Sequence, residues 1–146
     1  MEKKFNFRLE KVLNLRSQKV NQEKLAFGKV MSIRLDKEKE VEEQQNYANG
    51  LNNNKSKIAN AAFYQTYQNH KEFVKEEIIK LEDELTQIKE IEELRRVKLT
   101  EAMKEEKVLE KLKEKKKEIH LEEMKREETI NLDEIAQQRF IRSKEK

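Results

Sequence analysis

His70 and His120 are the two histidines of this sequence, the side chains most often used for proton transfer or metal ligation. They lie far apart along the chain, and His120 stands inside the charged run KEKKKEIHLEE. A solvated surface histidine is the expectation at both positions. Carboxylates come in adjacent pairs, Glu105 with Glu106 and Glu122 with Glu123. Neighbours on a helix diverge by about 100°, so neither pair converges on one substrate atom. Cysteine is absent, which excludes disulfides and thiolate metal ligands. No P-loop, G-x-S-x-G, H-E-x-x-H or EF-hand loop is present. The expectation is a protein that is not an enzyme, with no catalytic residues, no cofactor and no metal.

Binding is the better use of these side chains. Lys111, Lys113, Lys115, Lys116 and Lys117 form one basic run, and Lys3, Lys4, Arg8, Lys11, Arg16 and Lys19 make the first turns net positive. Counterion release lets such runs bind phosphate weakly. Glu110, Glu114 and Glu118 interleave the first run, and no recognition-helix or RRM pattern accompanies it. A solvated helix face and no nucleic-acid partner are therefore expected. The aromatics divide between two uses. Tyr47, Phe63, Tyr64, Tyr67 and Phe73 either close a helical turn by packing across it or present a docking patch.

The elements that must carry these residues are helical. Of 146 residues, 43% are charged and 35% hydrophobic, with no proline and two glycines. That is too little apolar material for a thick core, and it matches long helices and coiled coils. Basic and acidic residues number 33 and 30, a net charge of +3, so the surface is mixed rather than polybasic. The start, MEKKFNFRLEKVLNLR, lacks the apolar run of a signal peptide, and no stretch approaches the roughly 18 apolar residues of a membrane span. A soluble, cytoplasmic protein is expected.

Leu13, Val20, Phe27, Arg34, Val41 and Ala48 recur every seven residues. Leu9, Val30 and Leu51 supply part of a companion row, which Arg16, Glu23, Lys37 and Gln44 interrupt; Leu25, Ile33 and Leu35 stand off it. Further on, Val74, Ile78, Leu81, Leu85 and Ile88 alternate steps of four and three, the signature of a helix seam. The stripe blurs through Ile91, Leu94, Arg95 and Leu99 and resumes at Ala102. Between the two lies NYANGLNNNKSK, where Gly50 and the asparagines tolerate left-handed backbone and suit a helix C-cap. Ser56 or Asn60 then caps the next helix. The reading is one all-α, coiled-coil domain over residues 1–146: helix one at about 5–53, a turn at about 53–60, and helix two at about 60–143. Folded at the turn, the two seams form a long antiparallel two-helix hairpin, with arms of about 75 Å and about 125 Å. Helix one then runs out near residue 108. Leu109, Leu112, Ile119, Ile130, Leu132, Ile135 and Phe140 remain beyond it as an uncovered stripe for another chain to cover.

Three stretches resemble the FliJ family, the soluble coiled-coil component of the bacterial flagellar type III export apparatus. They are F-x-F-R-L-E-K-V-L-x-L-R from Phe5 to Arg16, LEKLKEKKKEIHLEEMKREE from Leu109 to Glu128, and LDEIAQQR from Leu132 to Arg139. The resemblance implies a hairpin similar to the central stalk of rotary ATPases. It implies a stalk that inserts into the hexameric ring of the flagellar export ATPase, promotes its assembly and activity, contacts the transmembrane export gate protein and escorts export chaperones. Such a protein is a monomeric hairpin on its own and is held peripherally at the inner face of the cell membrane, at the flagellar base. Carried onto this chain, Phe5, Phe7, Leu9, Leu132, Ile135 and Phe140 are the candidates for the ATPase contact. Tyr47, Tyr64, Tyr67, Val74 and Ile78 are the candidates for the gate contact. The asparagine-rich stretch around the turn departs from the family pattern.

Two other readings share these features. One is the equivalent stalk of a virulence-type secretion system. The other is a generic structural coiled coil or adaptor, with one continuous helix dimerising in parallel and Gly50 as a joint. A hairpin places residue 20 near about residue 95, whereas a parallel dimer places it beside its own copy.

Overall fold

The computed structural model describes residues 4–53 and 60–145. Among these residues the fold is all-α, with no strand: α1 spans Glu10–Asn53 and α2 spans Ala61–Lys144. The chain divides into two compact units, Met1–Lys19 with Ala102–Lys146 (unit 1) and Val20–Glu101 (unit 2). In each unit the two helices run antiparallel. Within unit 2, Glu23 meets Arg95, Lys37 meets Glu84 and Tyr47 meets His70, so α2 descends as α1 ascends. Within unit 1, Arg16 meets Glu105 and Glu10 meets Lys113. This pairing of helices within one chain is the expected helical hairpin and overturns the parallel dimer of a continuous helix. The Glu23–Arg95 pair also agrees with the placement of residue 20 near about residue 95.

The seam is the heptad row itself. Leu13, Val20 and Val41 of α1 are buried, Val20 to 3% exposure, and Val74, Leu81 and Ala102 of α2 likewise. Leu25, Ile33 and Leu35, off the row, are exposed. Ile91 and Leu94 are also exposed, which corrects their place in the stripe; Glu92, 6% exposed, and the half-buried Arg95 hold the seam there. The three–four spacing simply continues from Ile88 through 92, 95, 99 and 102, and geometry selects the inward residue whatever its chemistry.

A seam this thin rests on a few side chains. Leu81→Ala is expected to cost about 2–3 kcal/mol through lost burial and the cavity left behind. Ile79→Ala, 60% exposed and two residues away, should cost less than about 0.5 kcal/mol. Urea unfolding of both variants tests the contrast, and equal losses would remove the seam assignment.

The helix ends bring two corrections. Helix α1 begins at Glu10 rather than at about residue 5. Phe5, Phe7 and Leu9 alternate with Asn6 and Arg8 in a non-helical strap that turns at Arg8 and Leu9, and the three apolar side chains are half-buried while Asn6 and Arg8 are exposed. One turn, with the Glu10 N–H donating to the Phe7 carbonyl at 3.1 Å, joins the strap to the helix. Gly50 lies inside α1, and no described residue has a positive φ, so it is not a left-handed cap. The turn at about 53–60 otherwise falls on residues 54–59, outside the described residues, as does the alternative cap Ser56. Asn60 does cap α2: its Oδ1 accepts the Phe63 N–H at 2.7 Å.

The strap also moves the end of the covered region. Non-helical backbone advances further per residue than a helix does, at about 1.5 Å, so the five steps from Glu10 back to Phe5 span the seven from Lys113 to His120. Glu10 already faces Lys113, and Phe5 lies against His120. Coverage of α2 therefore ends near Glu123 and Met124, not near residue 108, and Leu109 and Leu112 are half-buried.

Candidate functional site

Unit 1 holds the residues of the first candidate surface. Phe5, Phe7 and Leu9 line a groove with Leu112, Ile119 and His120. All three are half-buried, because packing on α2 already occupies one side of each. His120, expected as a solvated histidine, is half-buried with its ring 5.6 Å from that of Phe5. Leu132, Ile135 and Phe140 have no such cover; Leu132 is 66% exposed. The structure does not gather the six residues into one cluster, since the last three lie further along α2 than the groove reaches. The apolar residues past Met124 also lie on two faces. At 100° per residue, Leu132 and Ile135 share one side while Ile130 and Ile141 point to the other.

Unit 2 carries the second. Tyr47 and Tyr64 are about half exposed, and Phe63 and Phe73, beside them in sequence, are exposed too. The Tyr47 hydroxyl is 2.8 Å from His70 Nε2, which ties α1 to α2. Tyr67 is half-buried under the Lys71 ammonium, 5.6 Å from its ring, and its hydroxyl is enclosed with no hydrogen-bond partner among the described residues. Ile78 lines a groove with Ala48, Leu51, Lys71 and Lys75. Val74 is 4% exposed and is consumed by the seam, so it offers no surface. Of these aromatics, Tyr47 packs across to His70 of α2, while Phe63, Tyr64 and Phe73 are exposed.

Charge inside the seam is what the sequence pattern hid. Arg16, Glu23 and Lys37, which interrupt the companion row, face inward and pair across to Glu105, Arg95 and Glu84. Arg34 joins Glu92 across the seam and Glu38 along α1, at 2.9 Å. Hydrogen bonds that Arg34 donates to Glu38 and then to Glu92 raise its pKa above the ordinary arginine value. Lys37 Nζ lies 2.8 Å from Glu84 Oε2. That bond holds the Glu84 carboxyl below the usual carboxylate range and the Lys37 ammonium above the usual lysine value.

The sign of the resulting pH dependence follows. Glu84 has its pKa lowered by folding, so its contribution is complete above the ordinary carboxylate range and is lost as pH falls through the lower, folded value. Lys37 has its pKa raised, so its contribution holds below the ordinary lysine value and is lost only in strong alkali. Thermal midpoints measured from neutral pH downward should therefore fall through the carboxylate range, and Glu84→Gln should flatten that limb. An unchanged acid limb in Glu84→Gln would remove the pair from the account.

Among the described residues no group of three or more His, Asp or Glu converges as a metal site. The basic run is partly spent internally, since Lys113 pairs with Glu10 at 2.9 Å. What both units offer is contact: exposed apolar and aromatic side chains on helices framed by alternating charge. A family model described as Flagellar FliJ protein matches residues 5–145. No curated protein and no solved structure matches the chain.

Proposed function

This chain belongs to the Flagellar FliJ protein family, and from that premise we propose that it is the stalk of the flagellar export ATPase. Membership supports a flagellar export-related role in general, and we read the chain as a non-enzymatic, helical component. In the finer reading, α2 beyond Met124 enters the hexameric ATPase ring and promotes its assembly and activity. The aromatic surface of unit 2 engages the transmembrane export gate protein, and the same chain escorts export chaperones. A single copy works in each ring, as a monomeric hairpin. No helix of the described residues is long and apolar enough to cross a membrane, which suits cytoplasmic, peripheral attachment at the inner membrane face of the flagellar base.

One observation carries the reading. The last part of α2 stays helical through Lys144 without an internal partner, and it exposes Ile130, Leu132, Ile135, Phe140 and Ile141. Because these lie on both sides of the helix, a surface that surrounds it covers them better than one groove does. Phe5, Phe7 and Leu9 contribute the exposed edges of the strap. Leu132, Ile135 and Phe140 supply the main contact.

The test titrates the purified chain into the purified export ATPase while ATP hydrolysis is followed. Hydrolysis should rise and saturate near one chain per hexamer. No change at saturating concentration sinks the stalk reading.

A further inference from the structure

The uncovered face of α2 in unit 1 is also complementary to itself. Glu128, Leu132, Ile135 and Arg139 follow steps of four, three and four and fall within an arc of about 60° at 100° per residue. Leu132 and Ile135 are large exposed hydrophobics, and Glu128 and Arg139 are exposed as well. We propose that this face pairs antiparallel with the same face of a second copy. In the two-fold register centred between Leu132 and Ile135, Leu132 of each copy lies opposite Ile135 of the other. Glu128 then lies opposite Arg139, and two-fold symmetry makes each of these contacts twice.

The chain already pairs its helices in this way. Within unit 2 the antiparallel seam alternates apolar layers such as Val41, Val74 and Leu81 with layers in which Arg meets Glu: Arg34 with Glu92, and Arg95 with Glu23. The face from Glu128 to Arg139 repeats that composition and lacks only the second helix. The charge pattern also sets the direction. In a parallel pair Glu128 meets Glu128 and Arg139 meets Arg139, so like charges oppose that arrangement. The inference does not depend on the export reading.

The seam is short, about 17 Å from Glu128 to Arg139 at about 1.5 Å per residue, because in this register Met124 already lies opposite Ser143. A single helix pair of that length falls short of the roughly 1,200–2,000 Å² that stable complexes bury. Self-association is therefore weak, and a dilute chain is monomeric.

Sedimentation equilibrium of the full chain from micromolar to several hundred micromolar tests this. The wild type should move from monomer to dimer across that range, and Ile135→Asp should weaken the dimer at least tenfold. Glu128→Arg alone and Arg139→Glu alone should each stay monomeric, because like charges then face each other. Mixed in equal amounts, the two variants should dimerise again, since every Arg then meets a Glu. Circular dichroism should show unchanged helix content in all three, as each substitution is at an exposed position. A wild type that remains monomeric throughout, a mixture that fails to associate, or an Ile135→Asp that dimerises normally overturns the proposal.

Discussion

A chain ended after Met124 is expected to keep its helix pairing and to lose all stimulation of the export ATPase. Residues 125–145 are exposed and none contributes to the buried set. Leu13, Ala102 and the strap with its groove on α2 are untouched by the cut. The free energy of unfolding should therefore change by no more than about 0.5 kcal/mol, while the far-ultraviolet helix signal falls with the residues removed. Ending the chain after Val108 is a different experiment. It deletes Leu112, Ile119 and His120 from beneath the strap and Lys113 from beside Glu10, so it destabilises unit 1 as well as removing the contact. Hydrolysis assays with both chains, beside their melting curves, separate the two causes. A chain ended after Met124 that still stimulates fully would place the ATPase contact on the strap instead.

Val74→Asp should be strongly damaging to unit 2. Val74 is 4% exposed in the seam, so the new carboxylate is buried without a partner, at a cost of about 3–5 kcal/mol. Small domains have only about 5–15 kcal/mol in total, and a two-helix seam lies at the low end. Tyr64→Asp, at a half-exposed position, should cost less than about 0.5 kcal/mol and yet abolish binding to the gate protein. The pair decides how the gate candidates divide between surface and core. Urea unfolding and a gate-binding assay are run on both. Normal gate binding by Tyr64→Asp would remove the aromatic surface from the proposal. A folded Val74→Asp that no longer binds would make Val74 a contact in its own right.

The legible parts of this fold were those governed by period. The row from Leu13 to Ala48 and the alternation from Val74 to Ile88 define a covered face before any partner is known, because a helix repeats its side every seven residues or so. The cap at Asn60 was legible for a similarly local reason, since its side chain acts on a backbone N–H three residues away. The start of α1 was also written in local pattern, as the alternation of Phe5, Phe7 and Leu9, but a helical reading of the surroundings masks a period of two over so few residues. Gly50 misleads in the opposite direction. Its permissive backbone allows a left-handed turn without requiring one, and it remains helical.

By itself, then, the sequence determined that the chain is all-α, that each helix has one face to cover, and that the stretch around Leu132 to Arg139 resembles a family whose model matches residues 5–145. These follow from short-range spacing and from residue identity. Tertiary structure alone decided which residues meet. Arg34, Glu23 and Lys37 read as flaws in a stripe until Glu92, Arg95 and Glu84 stand opposite them. Val74 reads as a contact candidate until α1 covers it, and the uncovered part of α2 shortens once the strap lies on it. The physical reason is common to all three: period specifies the direction of a side chain, whereas its partner depends on register between segments distant in the chain, which no local spacing encodes.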